Sequence, residues 1–310
     1  MEKENGGLEH THRHGEGHEL SGIRLGVVTA LNLTITVAEV VGGVLSGSLA
    51  LLSDALHNLG DSAAIVTSWV AHRIAGRPHT LEKTYGFKRA EVLAALFNAL
   101  VLFGLSFFLI GEAYRRFVAP EPIKGGLMLT VAIIGLMGNL ASVFLLKRDS
   151  RENMNIRSSY LHLLSDSISS VGVILGGIAI GLWNIVWIDP LITVLISLYI
   201  LRETWNIIKE TVDILMQASP RIDYEELKQA VESVGGVKNL HHVHLWRSDE
   251  KSIYFEGHVD VEDMRVCDAQ RIIEDIQKIL QKRFGIGHAT IQVETDRCED
   301  KEIVKTKHKE

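Results

Sequence analysis

The sequence predicts an α-helical membrane protein with six transmembrane helices, followed by a C-terminal α+β domain on the cytoplasmic side. Three observations carry that reading. Val92 to Gly111, Gly125 to Leu146 and Ser167 to Ile188 contain no Asp, Glu, Lys or Arg, and roughly 20 mostly apolar residues suffice for a helix to cross ~30 Å of hydrocarbon. Charge gathers instead at the far end: of 70 charged residues (32 Lys and Arg, 38 Asp and Glu), 35 lie in the last 99 of the 310 positions. In that last third, strand-like alternation of apolar and polar residues replaces the long apolar runs.

Residues 1–21 hold His10, His12, His14 and His18 among Gly, Glu and Thr, a tract too polar to fold alone and suited to loose metal capture. The first span is expected at about Ile23 to Leu45, apolar except for Arg24 and Glu39. The second, about Ser48 to Ala71, carries Asp54, His57 and Asp61. The third and fourth are the first two charge-free runs. The fifth starts ahead of its charge-free run, near Asn155, because Leu161, Leu163, Leu164 and Ile168 continue the apolar pattern. The sixth, about Ile185 to Ile208, is interrupted by Arg202 and Glu203. The resulting division is a tail at 1–21, a membrane domain at 22–211, a soluble domain at 212–298 and a charged tail at 299–310.

Within the soluble domain, Asp223 with Glu226 forms a capping-box variant that opens a helix bearing Leu227, Ala230, Val231 and Val234. Two alternating runs follow, Leu240 to Trp246 and then a stretch with Ile253, Phe255, Val259 and Val261 on one face. A second amphipathic helix carries Val266, Ile272, Ile273, Ile276, Ile279, Leu280 and Phe284. A last strand, His288 to Thr295, sets Ala289, Ile291 and Val293 against polar neighbours. The order α-β-β-α-β implies one sheet covered by two helices.

Short-loop charge orients the chain. The link after the second span has Arg73, Arg77, Lys83, Lys88 and Arg89, and the link after the fourth has Lys147, Arg148, Arg151 and Arg157. The opposite side has only Arg115, Arg116 and Lys124. Both termini are therefore expected in the cytoplasm, with Trp183 and Trp187 at the outer interface. The polar N-terminus does not read as a signal peptide. A net charge of −6 and a pI near 6.2 argue against a nucleic-acid partner. Cys267 and Cys298 lack the spacing of a disulfide framework or a cysteine zinc finger.

Ionisable residues inside a span are costly and point to function. Leu56 to Ser62 and Leu161 to Ser167 agree at Leu, His, Leu, Asp and Ser. His57 with Asp61, and His162 with Asp166, each stand four apart and so share a helix face. Facing each other, the two pairs would supply two imidazoles and two carboxylates, a tetrahedral set suited to Zn2+. Two carboxylates, two neutral imidazoles and one divalent ion sum to zero charge, and protons compete with metal for the same lone pairs. Exchange of metal for protons follows as an expectation. A hydrogen-bonded pair tying helices together explains one such pair better than it explains two copies. Asp54 either extends the pathway or makes polar contacts near the outer side. Glu39, Asn32, Asn98 and Asn139 are expected to hydrogen-bond between helices or line a wet path. Spans two and five run in opposite directions, as in an inverted-repeat design.

With HNLGD in span two, HLLSD in span five, six spans, an α+β tail and the run Lys83 to Glu91, the chain resembles the cation diffusion facilitator family, especially its zinc-transporting branch, from about Gly22 to Glu294. The resemblance implies a multi-pass protein of the cell (inner) membrane, a homodimer with a ferredoxin-like tail, exporting divalent metal from the cytoplasm against protons as counter-ion. It assigns His57, Asp61, His162 and Asp166 to the transport site, and histidine at both first positions looks like the zinc-preferring type. In the tail, His241-His242-Val243-His244-Leu245-Trp246 resembles the family's HDLHIW segment. The likeness implies a regulatory zinc on His241, His258 and Glu294, with His288 nearby. Strand parity instead puts His241 with Val243 and Leu245, which favours His244 as the partner of His258 and Glu294, so both remain open. His72 and His79 in the first cytoplasmic link form a weaker candidate. Broader Cd2+, Co2+, Ni2+ or Fe2+ export, or a non-transporting membrane metal sensor, are the alternatives. A zinc hydrolase would need a motif such as HExxH, which the sequence lacks.

Overall fold

The computed structural model describes residues 15–147, 154–297 and 302–304. His10, His12, His14, the side chain of His18, Cys298 and most of the charged tail lie outside the described residues. Six long helices come first: α1 (Gly15–Ser46), α2 (Leu49–Ala75), α3 (Arg89–Val118), α4 (Gly125–Leu146), α5 (Met154–Trp183) and α6 (Ile188–Leu215). Five of them contain a stretch long and apolar enough to cross a membrane. The other, α2, has 27 residues, ample length for a span, but Asp54, His57 and Asp61 dilute its apolar character.

The helices differ from the sequence expectation mainly at their ends. α1 begins at Gly15, well ahead of Ile23, since extending an established helix is far easier than nucleating one. α5 stops at Trp183 although the charge-free run continues to Ile188. Asn184 turns the chain there in the left-handed region (φ 55°), a conformation that asparagine tolerates better than most side chains. A run without charge cannot reveal a turn inside it.

The packing forms two compact units. The first comprises the chain through Ala63 together with Val101–Thr204. Here α1 packs on α4 and α4 on α5. Small residues permit the close approach that dispersion-driven helix association needs. A Cβ on Gly42 would lie 2.7 Å from Val131, and one on Gly177 would lie 3.3 Å from Leu129. Phe107, Phe108, Ile134, Phe144, Ile168 and Leu175 point outward, the pattern of helices solvated by lipid.

Asp189, at the start of α6, organises the other end of α2. Its buried carboxylate accepts hydrogen bonds from the Ser48 hydroxyl (2.5 Å), Leu49 N–H (2.8 Å) and Ala50 N–H (3.2 Å). It thus satisfies the orphan donors that every helix N-terminus leaves and complements the positive end of the helix dipole. In the preceding turn, Gly47 takes φ 77° and its carbonyl accepts from the Arg116 guanidinium.

The second unit comprises Ala64–Leu100 and the chain from Trp205 onward. After α6 come α7 (Tyr224–Glu232), β1 (Val237–Arg247), β2 (Ile253–Val261), α8 (Val266–Phe284) and β3 (Ile286–Glu294), the expected α-β-β-α-β order. Asp223 caps α7, accepting from Glu225 N–H and Glu226 N–H. β2 is central, antiparallel to β1 and parallel to β3, with α8 as the crossover that parallel pairing requires. Leu227 and Val231 of α7 and Ile272, Ile276 and Leu280 of α8 meet Leu240, Val243, Leu245, Phe255 and Val259 of the sheet in one core. This is a ferredoxin-like sandwich carrying three strands. Val266, expected on the apolar face of α8, is exposed. Gly285 ends α8 in the left-handed conformation (φ 69°), the usual role of glycine after a helix.

Asp249 closes the β1–β2 hairpin, accepting from Lys251 N–H (2.8 Å) and Ser252 N–H (2.6 Å), with Lys88 Nζ 3.7 Å away. Partial burial acts to raise its pKa, but those N–H groups, the Ser252 hydroxyl and the Lys88 ammonium hold the carboxyl below its ordinary value. A depressed folded pKa means stability present above the unfolded value near ~3.9 and lost as pH falls through the folded value. Amide protection in the hairpin, taken relative to the intrinsic exchange rate at each pH, should therefore fall on acidification through that window in the wild type. Asp249→Asn should show lower protection already at neutral pH, with little further change on acidification.

Candidate metal centres

Helical spacing places His57 and Asp61 one turn apart on α2, and His162 and Asp166 one turn apart on α5. The fold then brings the two faces together. Asp61 Oδ2 lies 3.6 Å from His57 Nε2 and 3.1 Å from His162 Nε2, while Asp166 Oδ2 lies 3.5 Å from His162 Nε2. The imidazole centroids are 5.9 Å apart and edge-on. Donor atoms about 2.1 Å from a tetrahedral ion are separated by about 3.4 Å, close to the spacing of these pairwise contacts. Asp61 Oδ2, Asp166 Oδ2 and His57 Nδ1 are buried without an aligned hydrogen-bond partner. Buried polar atoms are ordinarily satisfied, and a cation between them would satisfy the two carboxylates. His57, Asp61 and His162 each offer an atom within 4.8 Å of the others. Asp166 is more deeply enclosed than Asp61, with side-chain exposures of 3% and 28%. The site is therefore closed on the Asp166 side and more open beside Asp61 and His162.

The partners of the polar residues around the cage were not legible in the sequence. The Asp54 carboxylate, one turn before His57, accepts from Ser169 (2.5 Å) and Ser170 (3.4 Å) on α5. These contacts make Asp54 a clasp between the same two helices, one turn before His57. Ser169 and Ser170 follow Asp166 at i+3 and i+4, so the helical period was the available signal. Glu39 is buried on α1 and accepts from Asn58 Nδ2 (3.1 Å), bracing the residue beside His57. Asn98 donates to Thr67 (2.6 Å). Both are hydrogen bonds between helices, as expected.

In the soluble domain, His241, His258 and Glu294 form a second ligand group. His258 Nδ1 is 3.0 Å from Glu294 Oε1, and His241 Nε2 is 3.6 Å from Glu294 Oε2. His241 Nδ1 lies 3.1 Å from Asn239 Oδ1. Donation to that oxygen leaves the Nε2 lone pair facing Glu294, the orienting contact that metal-bound histidines typically have. The parity argument favouring His244 fails because β1 carries a bulge. His242 adopts φ 51° and the register slips between His241 and His244. One extra residue reverses the alternation, so Leu240, Val243 and Leu245 face the core while His241 pairs directly with His258.

The remaining candidates are not gathered into either group. His244 stands opposite Glu256. His288 packs against Tyr254, with ring centroids 5.1 Å apart. It shares a face with Glu294 but lies six residues away, about 20 Å along a strand. His72 Nδ1 is 2.7 Å from Glu91 and His79 Nδ1 is 2.9 Å from the Thr84 carbonyl. α2 ends between these two histidines, and each finds its own partner.

Comparison with known proteins agrees with both halves of the architecture. The cation efflux transmembrane domain matches residues 25–216, and the cation efflux protein cytoplasmic domain matches residues 219–296. A zinc transporter ZitB of Pectobacterium atrosepticum is 41% identical over 296 residues, covering 94% of this chain and 91% of the relative. The metal cation efflux system protein CzcD of Cupriavidus metallidurans is 38% identical over 94% of this chain and 92% of its own length. A cadmium, cobalt and zinc/H(+)-K(+) antiporter of Bacillus subtilis is 35% identical over 92% of each chain. With its membrane helices and its sheet domain both matched along nearly the whole length, the chain belongs to the cation efflux family of membrane transporters.

Proposed function

We propose that this protein exports Zn2+ from the cytoplasm in exchange for protons, using His57, Asp61, His162 and Asp166 as the transport site. The observation that carries this reading is Asp61 Oδ2, held 3.6 and 3.1 Å from imidazole nitrogens on two different helices. Zinc entering the cage meets two nitrogens and two oxygens, and its charge is cancelled by Asp61 and Asp166. Without the ion, two carboxylates in a poorly solvated site favour uptake of protons. Each ion released on the far side therefore leaves a site ready to return loaded with protons. The names of the zinc transporter relatives support zinc as cargo, and the printed name of the Bacillus subtilis relative supports proton coupling. Purified protein in vesicles with a zinc-sensitive dye inside should accumulate zinc faster when a proton gradient favours counterflow. Zinc flux indifferent to that gradient, with no opposing proton movement, overturns the antiport reading.

The positive loops support cytoplasmic termini and a cell (inner) membrane location. The match to the family's cytoplasmic domain supports a homodimer that buries part of the soluble domain. His241, His258 and Glu294 fit a resident regulatory zinc: two nitrogens and a carboxylate in a buried pocket, with Asn239 orienting one imidazole. A bound ion would tie β1, β2 and β3 together at one end of the sheet.

Efflux of cadmium and cobalt as well is a second reading, favoured by the printed name of the Bacillus subtilis relative. Imidazole alone does not override the general order of metal affinities, so His57 bears directly on selectivity. His57→Asp replaces a nitrogen by a harder, charged oxygen and should move preference toward Mn2+ in competition uptake assays. An unchanged competition profile would remove His57 from selectivity.

A further inference from the structure

The bulge that turns His241 toward Glu294 is held from outside the sheet. β1 is an edge strand, and an edge presents N–H groups that no neighbouring strand pairs. Two consecutive ones at the bulge find partners near the end of the chain. His242 N–H donates to the Glu302 carbonyl (3.1 Å), and Val243 N–H donates to the Ile303 carbonyl (2.7 Å). Val243 is buried, and the Ile303 side chain packs against the core of the soluble domain. The chain thus leaves β3 at Glu294, on one edge of the sheet, and is fastened on the opposite edge eight positions later, at Glu302. The conformation held there is a strained one. His242 sits at φ 51°, a region that side chains of its kind seldom enter and that persists where surrounding contacts over-determine it. Without the register slip between His241 and His244, strand alternation would put His241 on the face of Val243 and Leu245, away from His258 and Glu294.

We propose that Glu302 and Ile303 form a strap that holds the β1 bulge and so positions His241 for the regulatory zinc, with strap docking and zinc binding strengthening each other. This rests on the reading of His241, His258 and Glu294 as a zinc site and adds the element that governs its affinity. The strap supplies no metal donor. Its two main-chain hydrogen bonds fix the backbone of His242, and that backbone sets the direction of the residue before it. Zinc acts on the same bulge from the other side. An ion drawing His241 toward Glu294 keeps His242 in the conformation whose N–H meets the strap. Such coupling is reciprocal, so whatever the strap adds to zinc affinity, zinc returns to strap docking. Glu302 and Ile303 are positioning residues, and their contribution runs through carbonyl oxygens that every residue type carries.

The test uses the whole protein in detergent, dialysed to equilibrium against a series of zinc buffers, with bound metal counted by elemental analysis. The regulatory ion is the one that His258→Ala removes. Ending the chain at residue 301 should move the half-filling of that ion to about 10-fold higher free zinc, the scale on which supports of a metal ligand act. His242→Gly should cancel most of this shift, because glycine takes a positive φ without the strain that the strap offsets. A half-filling point unchanged by the truncation overturns the strap and leaves the regulatory site standing. A shift that His242→Gly does not reduce overturns positioning through the bulge. A wild type holding no ion that His258→Ala removes overturns the regulatory site, and the strap's role with it. Hydrogen–deuterium exchange of the wild type, read by mass spectrometry, needs no substitution. Zinc should raise the protection of the His242 and Val243 amides, and equal protection with and without zinc refutes the coupling.

Discussion

Asp61→Ala should abolish zinc uptake into vesicles, and Asp166→Ala should do the same. In the proposed transport site, either change removes one of the two negative charges that would balance a divalent ion in a poorly solvated interior. The complex then carries an uncompensated positive charge, which costs several kcal/mol even after water and side chains relax. Altering a mere supporting partner of a metal ligand typically costs about 10–100-fold in affinity or activity, so loss of a ligand should exceed that. Asp61 carries the larger consequence because both imidazoles meet it, at 3.6 and 3.1 Å. Its loss removes the group that joins α2 to α5 across the cage. Uptake of a zinc-sensitive dye signal, normalised to reconstituted protein, measures the effect. Retention of half the wild-type rate in Asp61→Ala would remove it from the transport site.

The second large effect is on stability. Asp189→Ala strips the acceptor from the Ser48 hydroxyl and from two N–H groups at the start of α2, all in a buried setting. A buried donor left without a partner costs about 1–3 kcal/mol, so three of them predict a loss of about 3 kcal/mol or more, offset only where water enters. Asp189→Asn keeps an oxygen acceptor and should recover part of that loss. Thermal unfolding in detergent should rank wild type above Asp189→Asn above Asp189→Ala. Because the carboxylate seats the helix bearing His57 and Asp61, the alanine variant should also transport zinc more slowly in the folded fraction. An unfolding temperature matching the wild type would show that this clasp does not hold α2.

The sequence reveals most of the site and little of what positions it. Histidine and aspartate four apart place themselves on one helical face by period alone, and their repetition in a second span marks the two faces that the fold brings together. The three charge-free runs located α3, α4 and the apolar part of α5, because lipid tolerates so few charges. Long-range pairings left no such trace. Asp189 and Ser48 are 141 positions apart, and nothing local marks an aspartate on one helix as the cap of another. Asp54 was visibly unusual, yet its partners Ser169 and Ser170 are ordinary residues in a membrane helix. The β1 bulge shows how a single backbone dihedral can defeat a sound rule. Alternation holds from Val243 onward, but the positive φ at His242 shifts the phase before it and puts His241 opposite His258, on the same face as His244.

The central claim is that α2 and α5 share one zinc ion between His57, Asp61, His162 and Asp166. Anomalous scattering at the zinc edge from zinc-loaded protein tests it most directly. The account predicts a peak bonded to all four side chains, at about 2.0–2.2 Å from each donor atom. A peak elsewhere among the membrane helices, with the carboxylates of Asp61 and Asp166 unbound, would contradict it.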